Sequence, residues 1–285
     1  MSPNVAWAGS VKPTTLTVTG SGFVPPTPLL GAVGSRVQIG TRVTSDTTLA
    51  SASQLTVPLT AADIAVAGTV PITVVNPTPG GGTSTSVPLT VNADSTTPIT
   101  TVSGADTSWH RRPVTLTVQA LDAQSGVQVT QWTQNGGSPS TLSGSTITIP
   151  APAGGAGDGV QTIKVWSTDW CNHVENPPIS LTVKIDTVGP KTYASAPSPV
   201  KKGSEITFKY RADDVSPKCG VVLKIKTSHG TVKRTYDLGR KSSNKSYTYK
   251  VNPNLAKGSY KLYTYAKDMA GNQQSKLGTA AFKVK

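Results

Sequence analysis

Carboxylates recur in this sequence at the points where alternating segments stop. Asp94 and Asp186 each end such a segment and are followed by a short polar link and a proline, Pro98 and Pro190, ninety-two residues apart. Asp122, Asp169, Asp213, Asp214 and Asp268 close other segments, with Glu175 and Asn272 a few residues beyond. Two chemistries use such residues. Asp and Asn side chains accept hydrogen bonds from the backbone two residues on and so hold turns. Several carboxylates gathered at one place instead ligate Ca²⁺, which takes about six to eight oxygens. No Asp-x-Asp-x-Asp loop is present, so the spacing leaves turn-capping and Ca²⁺ binding both open.

Catalytic signatures are missing. The sequence holds no Gly-x-Ser-x-Gly elbow, no His-Glu-x-x-His and no phosphate-cradling Gly-x-x-x-x-Gly-Lys. Its histidines are His110, His173 and His229. Cys171-Asn172-His173 sets a thiol two residues from an imidazole, but in a predicted hairpin tip, where alternate side chains need not converge on one substrate. It reads as a turn variant. The chain is therefore expected not to be an enzyme.

The charge is unevenly placed. Residues 190–285 hold twenty of the 27 Lys and Arg but only five of the 14 acidic residues. All eight tyrosines lie there too, whereas all five tryptophans lie earlier. A basic, tyrosine-rich segment suits an anionic partner. Two cysteines in 285 residues make no disulfide framework. No apolar run approaches the length that spans a bilayer, about 20 residues. Met1-Ser2-Pro3 lacks the basic and apolar regions of a secretory signal, which points to a fragment or mature piece of a secreted protein.

The elements that must position these groups are strands. Segments 14–19, 114–120 and 205–212 alternate apolar and polar residues, the period of a half-buried strand. Thr60 to Ala67 is the one helix-like stretch, enough for a turn or two. The repeated Asp-link-Pro divides the chain into units 1–93, 94–189 and 190–285. Prolines in such links leave little slack, so the units should stand in a semi-rigid line. Units of this size with frequent turn signals suit seven-stranded sandwiches.

Units two and three match each other internally. Ala120-Leu121-Asp122 followed by Gly126-Val127, and later Asp169 with Asn172, correspond to Ala212-Asp213-Asp214 followed by Gly220-Val221, and later Asp268 with Asn272. With its leading Trp109, its Asp158-Gly159 and its Asp169, Asn172, Glu175 hairpin, segment 99–190 resembles a bacterial immunoglobulin-like module. Unit three is a looser copy whose turn between Asp214 and Gly220 is two residues longer. Residues 3–91 resemble a TIG/IPT module through 16–23, 65–76 and Pro79-Gly80-Gly81-Gly82. These resemblances imply an all-β chain of three tandem immunoglobulin-like β-sandwich modules, placed outside the cell or at its surface as spacer and adhesion units. An accessory carbohydrate-binding region beside a hydrolase is the alternative, with the outward-facing Trp166 as its best sugar platform. TIG modules that read DNA carry basic loops. Unit one has only Lys12, Arg36 and Arg42, so specific nucleic-acid binding is not expected.

The implied topology sharpens the carboxylate reading. The loops after the second and sixth strands sit where the chain enters a sandwich, so Asp186 should lie near Asp213, Asp214, Asp268 and Asn272. Asp94 should likewise lie near Asp122, Asp169 and Glu175. Ca²⁺ at these joints would stiffen the rod. Cys171 and Cys219 fall in such loops of consecutive modules, farther apart than the roughly 7 Å a disulfide allows.

In the basic unit, parity sorts side chains onto faces. If Tyr260, Leu262, Thr264 and Ala266 point inward, then Lys261, Tyr263, Tyr265 and Lys267 point outward. Lys224 and Lys226 on the third strand, and Lys283 and Lys285 on the last, join them on one face. That face is either a solvated strand surface or a site for an anionic polysaccharide, a cell-wall polymer or a surface protein.

Overall fold

The computed structural model describes residues 1–27 and 33–285. Among these residues the regular structure is all strand, arranged as three immunoglobulin-like β-sandwiches in tandem. The helix-like stretch at Thr60 forms turns rather than a helix. Asp63 takes hydrogen bonds from the Thr60 amide and hydroxyl, and Arg42 grips it through two nitrogens at 2.6 and 2.7 Å. Those bonds hold a compact turn between two strands, which overrides the alanine propensity.

Each sandwich sets a three-stranded sheet against a larger one. In the second, Thr146–Ile149, Val114–Leu121 and Ile99–Ser103 face Trp109–His110, Ile179–Ile185, Gly159–Asp169, Val127–Gln134 and Ser140–Thr141. In the third, Lys191–Ser195, Ile206–Asp213 and Lys245–Val251 face Val232–Ser242, Lys218–Thr227, Gly258–Lys267 and Gly278–Val284. Near its start, each unit crosses from one sheet to the other and pairs in parallel with its last strand. Val5–Trp7 does so with Val87–Asn92, Trp109–His110 with Ile179–Ile185, and Val200 with Val284. That crossing blunts a sheet edge that would otherwise lie open.

Alternation decides what is buried. Leu116 and Val118 lie in the second core, and Ile206 and Phe208 in the third. The first core is built from residues between Ala6 and Val91, the second between Val114 and Ile185, and the third between Ile206 and Val284. No residue belongs to two of them. Trp109 is buried at the rim of the second, and Trp132 packs half-buried against it.

Phe208 is fully buried and meets Phe282 edge-on, with ring centroids 5.6 Å apart. Phe208→Ala should cost about 3–5 kcal/mol, the usual loss for emptying a buried aromatic site. Differential scanning calorimetry should show the melting of the third sandwich lowered and that of the other two unchanged. A uniform shift of one transition would mean that the three cores unfold as a single unit.

Candidate functional sites: two acidic joints and a basic aromatic face

At the first joint the linker returns onto the second sandwich. The Asp94 carboxylate accepts from the Thr96 and Ser125 amides, both at 3.1 Å. Asp122 accepts from the Gln124 and Gly126 amides at 3.1 and 2.8 Å, and from the Thr96 hydroxyl at 3.0 Å. Asp169 caps its hairpin by accepting from the Cys171 and His173 amides, both at 2.8 Å. His173 Nδ1 lies 2.8 Å from Asp169 Oδ2 and 3.8 Å from Asp94 Oδ1. Burial alone would raise the Asp94 pKa, but hydrogen bonds from Ser125 and Thr96 outweigh it and hold the group below its ordinary value.

The second joint repeats this frame with different contents. The Asp186 amide donates to His110 O at 2.8 Å, within the second sandwich, while Asn272 Nδ2 of the third donates to Asp186 O at 2.8 Å. The Asp268 carboxylate accepts from the Asn272 amide and side chain at 2.8 and 2.9 Å. Asp214 accepts from the Ser216 amide at 2.8 Å and also from its hydroxyl. One oxygen from each of Asp186, Asp214 and Asp268 lies within 4.8 Å of the others. Asp186 is 0 % exposed, and apart from the neighbouring Asp214 carboxyl neither of its oxygens has a hydrogen-bond partner. Burial, then the charges of Asp214 and Asp268, push its pKa up to about 8.

Asp94 and Asp169 thus converge at the first joint, and Asp186, Asp214, Asp268 and Asn272 at the second. Asp122 holds its own turn, linked to Asp94 through Thr96. Glu175 braces strands instead, accepting from the Thr100 amide at 2.9 Å and the Ser167 amide at 3.2 Å. Gln274 stands at the matching position of the next unit and accepts from the Ala266 amide at 3.2 Å, so the position needs an acceptor rather than a charge. Asp213 is paired with Arg211, away from the cluster.

The basic residues lie on the outer face of the four-stranded sheet. Lys226 stands directly opposite Lys261, and Lys224 opposite Tyr263. The Lys226 and Lys261 ammonium groups sit 4.7 and 5.7 Å from the Tyr263 ring centre, and Lys224 sits 5.2 Å from that of Tyr265. Contact with the Tyr265 hydroxyl raises the Lys226 pKa, which keeps its charge. Lys267 lies at one end of the face, opposite Gly220. Lys283, opposite Ser259, lies at the other, with Lys285 just past the last strand. Among the described residues of this module, the ion pair present is Arg211–Asp213.

Two basic features escaped the sequence reading. Arg240 on the edge strand also stands opposite Gly220 and extends the face. The three-stranded sheet carries a shallow depression of about 490 Å³ lined by Tyr193, Lys209, Arg211 and Tyr247. The buried positions of Phe208 and Tyr210 already imply that Lys209 and Arg211 face outward on that sheet. Trp166 faces outward as its parity requires, but it is half-buried.

Both cysteines are free thiols. Cys171 Sγ reaches Ala8 O of the first sandwich at 3.4 Å, and the neighbouring Val11 amide donates to Trp170 O at 2.9 Å. Cys219 is placed differently from the loop expected. It lies within Lys218–Thr227, points into the third core and contacts Ser243 Oγ at 3.3 Å. The longer turn ends earlier than its counterpart, so the strand begins at Lys218.

No family model matches the chain, and no curated protein matches it. Among solved structures it is similar to a tetra-tandem repeat from the extending region of a large adhesion protein, at 16% identity over 97% of this chain and 71% of that one, with a TM-score of 0.36. It is also similar to the fibronectin(III)-like modules of Clostridium thermocellum CbhA, at 14% identity over 66% and 94% with a TM-score of 0.26. A third similarity is to the FN1-FN3 domains of chicken CNTN1, at 12% identity over 95% and 96% with a TM-score of 0.29.

The thiol chemistry is testable. Burial pushes the Cys171 thiol up, and the charges of Asp94 and Asp169 add to that. Burial pushes Cys219 up to about 11. With iodoacetamide near neutral pH, Cys171 should react more slowly than an unstructured peptide thiol of pKa about 8.5, and Cys219 only on unfolding. Faster labelling of Cys171, read by mass spectrometry, would restore the nucleophile reading of Cys171 and His173.

Proposed function

We propose that the chain is a non-catalytic, extracellular array of three immunoglobulin-like modules, divided near Asp94 and Asp186, whose basic third module binds an anionic cell-wall or matrix polysaccharide. The observation that carries this reading is the cross-strand pair Lys226 and Lys261, set over Tyr263. Like charges directly opposite each other destabilise a sheet. A cation–π contact with the ring is attractive. The ring therefore offsets the repulsion without neutralising either ammonium, and both charges stay available to an anion.

The shape of the face suits a polymer. It is an open strand surface, and the six residue steps from Lys261 to Lys267 span about 20 Å at the usual strand rise. A repeating polyanion can engage such a strip at several points, each weak alone and jointly stronger through effective concentration. Tyrosine rings add apolar surface for a sugar face. The first two modules then serve as spacer, held in line by their clasped linkers.

Lys224→Glu, Lys226→Glu and Lys261→Glu together should weaken binding to purified wall teichoic acid or alginate at least tenfold, about 1.4 kcal/mol, at low salt. Binding by the parent should fade as salt shortens the Debye length to about 3 Å near 1 M. A triple variant that binds these polymers as the parent does would refute the site. Equal retention of the parent on duplex DNA would reduce it to a general polyelectrolyte surface.

A further inference from the structure

The two joints use the same hairpin with one informative change. Residues 169–173 and 268–272 correspond position by position: Asn172 and Gly271 both have positive φ, at 69° and 93°, and an amide four residues on returns to each Asp. His173 therefore occupies the position of Asn272. At the first joint the imidazole lies against both Asp169 and Asp94, and Asp94 has backbone amides on both oxygens. The acids there are met by hydrogen-bond donors from within the protein.

At the second joint the amide of Asn272 is neutral, and its NH₂ is used on Asp268 and on the backbone of Asp186. The Asp186 carboxyl is fully buried, and its oxygens meet no donor from the rest of the protein, only the carboxyl of Asp214. Among the described residues, no Lys, Arg or His forms an ion pair with Asp186, Asp214 or Asp268. A buried carboxylate without a donor is strongly disfavoured, and two further carboxylates around the same point compound the cost.

We propose that Asp186, Asp214 and Asp268 bind one Ca²⁺ ion at the second joint, and that the first joint, although built on matching acids, binds none. The ligand set is all oxygen, which selects a hard cation. Oxygens within 4.8 Å of one another fit a shared ion, since two bonds of about 2.4 Å place opposite ligands about 4.8 Å apart. Mg²⁺ demands near-ideal octahedral geometry and dehydrates reluctantly, so a cluster of three carboxylates from separate loops suits Ca²⁺ better. Water completes the shell. The ion ties a linker residue to two loops of the third sandwich, so its binding fixes how that sandwich leaves the second.

The test uses the full chain, freed of metal with chelator and titrated with Ca²⁺ by calorimetry. One equivalent should bind with Kd of about 0.1–1 mM, the range of extracellular modules. At about 10 mM Ca²⁺ the third sandwich should melt several degrees higher than in chelator. Asp186→Asn should abolish the binding and, in chelator, melt above the parent, because it removes a carboxyl that folding must otherwise protonate or bury ionised; that second readout separates loss of the site from loss of the fold. Asp94→Asn should bind as the parent does. No heat and no melting shift in the parent, or undiminished binding by Asp186→Asn, would overturn the site. A second equivalent that Asp94→Asn removes would overturn the asymmetry.

Discussion

One residue, Asp186, is shared between two sandwiches, and the relation of the second module to the third hangs on it. Its amide completes a sheet interaction with His110 on one side, while its carbonyl is held by Asn272 on the other. The next residues leave no slack. Thr187 donates to Asp158 from its amide and hydroxyl, and Ser275 donates to the carbonyls of Gly189 and Pro190. At Gly189 a Cβ would come within 1.6 Å of Gln273 O, so only glycine admits this approach of linker to hairpin. The linker is thus a strap with both faces bonded, unlike the flexible coil that Gly/Ser-rich linkers form.

The same strap explains why the acidic groups are buried at all. A carboxylate at a strand end normally caps a turn in water at little cost. Here the next module closes over Asp186, and the cap becomes an interior carboxyl that is costly to ionise. Asp94 meets the same geometry but is satisfied by amides and faced by an imidazole. A single exchange of His for Asn at one hairpin position separates a joint whose acids are met by amides and an imidazole from one where Asp186 meets only other carboxyls.

Much of this was legible because strand parity is a strong constraint. Once Leu262 must be inside, Lys261 and Tyr263 have nowhere to go but out, and the rows of neighbouring strands then align. The convergence of Asp186 with Asp214 and Asp268 followed from topology, since loops at one pole must meet the arriving chain. What parity cannot give is register. The sequence shows Lys226 and Lys261 on one face but not opposite each other, and it misses Arg240, whose alignment depends on a bulge between Gly220 and Val222. Turn length misled as well: two extra residues before Gly220 drew Cys219 into an expected loop, whereas the strand starts sooner and buries it. Glu175 looked like a ligand because a carboxylate's role depends on which amides it reaches, and Thr100 is seventy-five residues away in the chain.

The third module joins opposite electrostatics within one small body. Its surface lysines face water, where screening confines their reach to about 8 Å at physiological salt. Its joint carboxylates lie in the interior, where screening by salt is much weaker. The two charge sets therefore answer to different conditions. On the proposed reading, added salt weakens the outer face and leaves the joint largely untouched, whereas removal of Ca²⁺ acts on the joint. The proposed Ca²⁺ ligands and the proposed polymer-binding lysines share no residue, so the alignment of the modules and the exchange of surface contacts need not be coupled.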